Sequence, residues 1–468
     1  MSITPLTELG NIVTSSIQTL EAAYAKSGIP YPSLDEPFKP GPLDDDFALG
    51  QTTRVLIAAA YQIIATVRGP METIQDYAPA MYLSSSLGVA VESNIPDIVK
   101  DSGLQGLDTR DIAAKAGIDE SKTARILRYL ASRHVFREVT PNVFANNRIS
   151  SVLVKAHSLE EIKKNPKIKY EGSPAAAFVG HLTDESLKSA AYISKFIEEN
   201  PTDIAAPFNM ALDPTADMWT WYEKPGNDLR LIRFSSAMKG SGDRFPPDSF
   251  TKDIYWKDLK PDSVVVDVGG SVGSVTHLLV KAFPDLKYVV QDLPKVIGQA
   301  HEYWKAQYPD EASNPVKTSR VTLQPHNFFF PQPIPNASVY MMRFVLHDWP
   351  ASKCHTILNH LRAAASKTTK LILFEAIMPY ACPPPDGPFS REMEASAGGA
   401  GKAPWPLLSN LGLGVGGFHT MFDMQMMTMF NGQERTLPEF SELGRKTGWQ
   451  LQSVHVDGPL SGIVFVPV

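Results

Sequence analysis

The sequence predicts an α/β protein: a mostly parallel sheet covered by helices on both faces fills the C-terminal half, and a helical domain precedes it. Three observations lead there. From Ser263 onward, short apolar runs (VVVDV, YVVQD, SVYMM, KLILFEA) alternate with helical patterns, and strands apolar at successive positions are buried on both faces. Between residues 50 and 135 the apolar period is helical. Near the end, LQSVHV and GIVFVPV flank a Gly-Pro turn, which predicts an antiparallel hairpin added to the sheet.

Residues 1–49 read as an N-terminal arm: a leading helix pattern, then Pro30, Pro32, Pro37, Pro40 and Pro42, which forbid a continuous helix and predict extended chain. Residues 50–160 read as a helical and winged-helix domain. Its apolar stretch Val55 to Val67 contains Tyr61 and Gln62 and falls short of the ~18–20 residues that span a bilayer, so it is a buried or interface helix and no membrane partner is expected.

Further on, Asp108-Thr109 can cap a helix that Gly117 ends. Asp119 starts the next, striped by Ile126, Leu127 and Leu130. A strand at Val135–Val139, a Pro141-Asn142 turn and Val143-Phe144 complete a helix, turn, helix and two-stranded wing. Such a module either reads DNA or packs against protein. Here the second helix sets Lys122, Arg125 and Arg128 against Asp119 and Glu120 in an acidic chain, which favours packing or dimerisation. Residues 161–255 read as a helical connector with an aromatic cluster (Trp219, Trp221, Tyr222) and Met238. Residues 256–468 hold the sheet, interrupted at 382–418 by a Pro- and Gly-dense loop expected to be mobile at least in part.

The chain's 468 residues exceed one ordinary domain, and 43% hydrophobic with 20% charged residues is a globular composition. Lys and Arg number 44 against 50 Asp and Glu, so the bulk charge offers nothing to a nucleic-acid partner. Cys354 and Cys382 make neither a disulfide framework nor a zinc site, and the first twenty residues lack a basic start and an apolar run. A cytoplasmic protein is the expectation.

Two motifs carry chemistry. In VVVDVGGSVGS, residues 264–274, a glycine turn after the first parallel strand lets backbone N–H groups approach a ligand. The dinucleotide spacing fails, because Ser271 and Ser274 stand where its second and third glycines belong. A looser acidic-x-G-x-G-x-G pattern fits, with Asp267, Gly269 and Gly273 in place and Ser271 in the middle slot. Asp292 closes the next strand, where a carboxylate can accept from both hydroxyls of a ribose. In RFVLHDWP, residues 343–350, His347 follows an apolar strand directly, at the carboxyl edge where α/β proteins place ligands.

Together with the HNFF segment at 326–329, QDLPKV, LILFEAIMP, PLLSNLG and NGQERT, these motifs resemble, in order, the small-molecule O-methyltransferases of plants and fungi, the fungal branch most of all. The likeness runs from about residue 50 to the end. It implies a Rossmann-like class I methyltransferase sheet, an N-terminal all-helical and winged-helix dimerisation domain that builds a homodimer, and S-adenosyl-L-methionine as cofactor.

It further implies that His347 is the general base, with Glu375 and Glu434 flanking and orienting it. Gly269, Asp292, Asn327, Phe328 and Arg343 fall on the cofactor side, Arg343 where plant members carry a Lys. Met238, Asp348 and Met427 fall on the substrate side, although methionines at helical spacing serve equally as core. The sequence departs from the family at Ser271, in place of a glycine, and at Asn327, where many relatives carry an Asp near the adenine. The implied reaction is methylation of a hydroxyl on a small aromatic molecule by His-assisted deprotonation and in-line transfer. No metal is expected, since no carboxylate cluster with ligand spacing accompanies these residues. Fungal relatives also include pericyclases, which use the same pocket without that histidine; His347, Glu375 and Glu434 are all present here, which favours methylation.

Overall fold

Strands without a polar face need cover on both sides, and the second half of the chain supplies it. The computed structural model describes residues 3–201, 205–242, 248–396, 402–457 and 460–468. Two compact units emerge: Met1–Arg244 with Thr428–Phe430, and Phe245–Met427 with Asn431–Val468.

In the first unit the leading helix Pro5–Lys26 is capped by Thr4, whose hydroxyl accepts from Thr7 N, and it packs along the helix Phe47–Val67. The proline-rich arm between them is pinned where Arg148 N donates to Leu34 O at 2.9 Å and Phe38 N to Ser151 Oγ at 2.8 Å. The paired helices Thr109–Ala116 and Glu120–Ala131 are capped by Asp108 and Asp119, and Gly117 ends the first at φ +70°. Strands β1 (Leu107–Asp108), β2 (Arg137–Thr140) and β3 (Val143–Ala145) form the small antiparallel sheet, in the order β1-β3-β2.

The wing strand begins two residues later than expected because Val135 and Phe136 are core side chains, and Phe136 turns the backbone at φ +70°. Arg128, a candidate base reader, donates to Asn142 Oδ1 at 2.7 Å and Glu138 Oε1 at 3.4 Å, so its guanidinium is spent on the wing. The segment set apart as a connector lies, through Gly242, within this unit.

In the second unit β4 (Val264–Val268), β5 (Lys287–Asp292), β6 (Val321–Pro325), β7 (Val339–Arg343) and β8 (Lys370–Glu375) run parallel. The hairpin β9 (Trp449–Asp457) and β10 (Leu460–Pro467) joins antiparallel to β8, giving the order β6-β5-β4-β7-β8-β10-β9. The turn foreseen within that hairpin, at 458–459, lies outside the described residues.

Successive strand residues feed two cores. Val266, Val268, Tyr340, Met342, Leu371 and Leu373 pack on one face, and Val265, Val339, Met341, Ile372 and Phe374 on the other. Each such side chain gains roughly 1.5–3 kcal/mol by burial, before the entropy of ordering. Strand β6 gave no sequence signal: VTLQP is polar and half-exposed, as an edge permits. The 382–418 segment carries a helix, Ser390–Ser396, whose Met393 enters the core, while the mobility expected of this loop concerns in part residues 397–401, outside the described residues. No helix among the described residues is long and apolar enough to cross a membrane.

The first unit holds a buried ion network. Arg233, on the helix Asp228–Gly242, pairs with Glu92 at 3.3 Å and with Asp184 and Glu185 at 2.7 Å each, the last two on the π-helical turn Leu182–Ser186. Tyr170 donates to Glu92 as well. Glu92 keeps Lys169, and Asp184 keeps Lys188 and Arg230, but buried Glu185 loses its short cation partner, so Arg233→Ala should destabilise the protein by about 3–5 kcal/mol. Scanning calorimetry checks this: a transition unchanged by the substitution would show that the network carries no net stability.

Candidate functional site

All the strand ends that matter lie on one edge of the sheet. The first parallel strand, β4, sits between β5 and β7, so chain order reverses beside it, and the crevice outside the carboxyl ends at such a point is where open α/β sheets bind ligands. Gly269, Asp292, Asn327, His347 and Glu375 all stand at or just past these ends.

On the β4–β5–β6 side, Gly269 adopts φ +70°, and a Cβ there would meet Val345 Cγ2 at 3.0 Å and Phe328 Cε1 at 3.5 Å. The missing side chain therefore brings the turn, Phe328 and Val345 together. Two residues on, Ser271 occupies the left-handed region at φ +53°, in the slot where the sequence lacks the expected glycine. Its amide donates to Asp292 Oδ2 at 2.8 Å, and Leu293 N donates to Asp292 Oδ1 at 2.7 Å. Burial raises the Asp292 pKa, against the pull of these two amides.

His326 N donates to Asp292 O at 2.9 Å and so places the next residue, Asn327, beside this carboxylate's strand. Asn327 Oδ1 accepts from Phe329 N at 3.0 Å in a local turn. Arg343 ends β7 with its guanidinium 5.3 Å from the ring centres of Phe250 and Phe344. Burial lowers its pKa, opposed by Asp267 and Glu375.

On the β7–β8 side, Phe344 is forced to φ +50° and a 3-10 turn, Leu346–Asp348, follows. His347 is 14% exposed. Its Nδ1 lies 2.7 Å from Glu434 Oε1, and its Nε2 lies 3.4 Å from Asp348 Oδ1. Glu434 arrives from 87 residues downstream because the segment after the helix Gly416–Phe430 folds back: Gln433 N donates to His347 O at 2.8 Å. Gly432 makes that return possible, since a Cβ there would stand 2.2 Å from His347 O.

Glu375, expected to flank His347, meets the backbone beside it. Its Oε1 accepts from Val345 N at 3.1 Å and Leu346 N at 3.0 Å, so it holds the backbone before His347 and makes no hydrogen bond to the ring. Met427 heads the turn into this segment, its carbonyl accepting from Asn431 N at 3.1 Å. Met238 lies in the first unit and is 37% exposed on its helix.

The electrostatics are dominated by acids. Burial opposes a charged imidazole, yet Asp348, Glu434 and Glu375 outweigh it and push His347 up to about 10. Burial raises Glu375 to about 7 and Asp348 to about 6; His347 opposes both rises and Glu434 adds to them. Sequence reasoning missed two participants. Phe344, whose ring centre is 5.3 Å from that of His347, offers only its place in the motif as a signal. Arg435, 1% exposed, was passed over beside Glu434 in the same motif. Among the described residues no group of three or more His, Cys, Asp and Glu side chains is arranged to hold a metal ion.

If Glu434 sustains the proton on His347, Glu434→Gln should lower the His347 pKa, because an amide replaces a carboxylate at 2.7 Å. Titration of labelled histidine by NMR reads it; an unmoved His347 resonance would assign the raised affinity to the other acids.

The chain matches the O-methyltransferase domain over residues 250–394 and the O-methyltransferase dimerisation domain over residues 75–156. It is 35% identical to an O-methyltransferase of Armillaria gallica, with 98% of each chain covered. It is 33% identical to 4-O-methyltransferase 1 of Phanerochaete chrysosporium, with 96% of each covered. Among solved structures, OxaC superposes with a TM-score of 0.67 over 99% of each chain at 19% identity. A pericyclic reaction enzyme does so at 0.62, over 97% of this chain and 99% of that one, at 18% identity. These two likenesses show the fold. The extended identity to the fungal enzymes shows more: the chain belongs to the S-adenosylmethionine-dependent O-methyltransferase family.

Proposed function

We propose that this enzyme methylates a hydroxyl of a small phenolic molecule, with His347 as the general base. The observation that carries the reading is the 2.7 Å contact of His347 Nδ1 with Glu434, which leaves Nε2 as the nitrogen able to take a proton. An ordinary imidazole near ~6.5 would take a proton from a phenol near ~10 at a cost of roughly 5 kcal/mol. Raised to about 10, His347 brings that transfer close to level.

S-adenosylmethionine, when bound, supplies an electrophilic methyl carbon on a sulfonium. The residues present fit it. Gly269 keeps its loop free of a side chain, Asp292 retains lone pairs for the ribose hydroxyls beyond its two amide bonds, and Asn327, Phe328 and Arg343 border the same edge. His347 takes the phenolic proton at Nε2, and Glu434 steadies the imidazolium through Nδ1. Asp348, 3.4 Å from Nε2, orients the incoming hydroxyl, with Met427 as apolar lining. A phenol with its proton removed is the nucleophile that in-line transfer requires, and a positioned base is typically worth ~10²–10⁴-fold.

We infer a homodimer as well. Ile64, Val67, Met71, Ile74, Tyr77 and Tyr82 are 44–68% exposed within the helices Phe47–Val67, Pro70–Tyr77 and Met81–Glu92. So many large apolar side chains on one short stretch are unusual on a monomer, and the dimerisation-domain match begins there. Light scattering at micromolar concentration should give twice the chain's 51.4 kDa mass; a monomer would contradict the inference.

Only the neutral ring accepts a proton, so the single-turnover rate should climb with pH up to the His347 pKa, well above ~6.5. His347→Gln should lower the rate by about two to four orders of magnitude and flatten that limb, with cofactor binding nearly intact. A variant as fast as the wild type would discard the base and move ahead a methyl transfer in which the phenol ionises without the imidazole.

A further inference from the structure

Arg435 is a buried cation, 1% exposed, in ion-pair contact with no carboxylate among the described residues. Its charge is met by peptide carbonyls instead. Nη1 donates to Leu346 O at 2.7 Å and Gln433 O at 3.2 Å, and Nη2 donates to Trp349 O at 2.6 Å. Leu346 and Trp349 bracket His347 and Asp348. The Cys354 thiol donates to the same two carbonyls, at 3.3 Å each.

On the opposite side of the turn stands Glu375, fully buried, accepting from the amides of Val345 and Leu346. Leu346 is thus gripped at both ends: its N–H by a carboxylate and its C=O by a guanidinium. The two opposite charges are joined through the peptide groups between them, whose dipoles point the favourable way. Desolvating both ions is costly, and hydrophobic residues of similar volume would serve stability as well or better. A forked cation reaching two carbonyls three residues apart fixes geometry, which a point charge does not.

We propose that Arg435, together with Glu375, is a positioning residue for the base: the pair locks the 345–349 turn so that Nε2 of His347 meets the acceptor hydroxyl. This rests on the reading of His347 as the base. Arg435 touches neither ring nitrogen. It acts through the backbone, and a displacement near 1 Å in such a group costs on the order of 10²-fold in rate.

The test uses full-length protein, single-turnover methyl transfer and a series of phenols of graded acidity, with S-adenosylhomocysteine binding measured alongside. Arg435→Lys keeps the charge and loses the fork. It should slow transfer to weakly acidic phenols by about 10–100-fold and to phenols already ionised at the assay pH by less than about 3-fold, with binding within about 2-fold. A merely structural defect would slow every acceptor by one common factor. Glu375→Ala should show the same dependence on acidity, and Glu375→Gln, whose amide oxygen still accepts from both N–H groups but whose charge on the ring is lost, should recover part of that loss. If Arg435→Lys does not fold, the two Glu375 variants carry the comparison. A uniform loss, or none, in Arg435→Lys and Glu375→Ala while His347→Gln is slow overturns the positioning role and leaves the base. Full activity in His347→Gln overturns the base and this inference with it.

Discussion

Three carboxylates crowd one imidazole in a place that water scarcely reaches, and the architecture of the site follows from keeping that cluster together. Each acid raises the proton affinity of the ring, and each is disfavoured by its neighbours and by burial, which is why Glu375 and Asp348 are pushed above the usual carboxylate range. Three carboxylates could not stay ionised so close together without a cation among them. The imidazolium between Glu434 and Asp348 supplies the positive charge that makes the arrangement tolerable.

Holding those groups requires chain from three places far apart in sequence. The sheet solves most of it, since β7 and β8 are parallel neighbours and deliver the His347 turn and Glu375 to the same edge. Glu434 has no strand to place it. It depends on the return of the 431–436 segment, on a glycine that lets backbone meet backbone, and on Arg435 inserting its fork into the turn. The first unit has a corresponding device in Arg233, but there the cation meets carboxylates directly, and nothing in its geometry reaches a backbone turn. The contrast separates a network that joins helices from one that aims a side chain.

Much of this was legible from the chain alone. Short, mostly apolar runs named β4, β5, β7 and β8, and the closing hairpin stood out by its turn. The edge strand β6 did not, because a strand half open to solvent has no continuous apolar run to show. At the site, His347 and Glu434 were visible through motifs, and Glu434 stands at hydrogen-bond distance from the ring. Glu375 was visible as a residue but not in its action, since a carboxylate that binds backbone amides looks the same in sequence as one that binds a ring. Arg435 was invisible for a related reason: its partners are carbonyl oxygens, which every residue carries. The left-handed backbone at Ser271 and Phe344 was equally hidden, because neither residue type signals it.

The proton balance of the cluster gives the arrangement its chemical sense. With the ring neutral, the surrounding carboxylates face one another with nothing between them. On the proposed reading, taking a proton from the acceptor would place a positive charge where the neighbouring acids favour it. The benefit exists only while the cluster is sheltered, because exposed charges at these distances would be screened to a small effect. Burial, which taken alone weakens the imidazole as a base, is therefore also what makes the acids effective, and at His347 the second effect wins. A base built this way suits an acceptor whose own proton affinity lies near that of the ring. On the proposed reading of His347 as the base, such an acceptor would be a phenol rather than an aliphatic alcohol, whose far weaker acidity the same three acids could not offset.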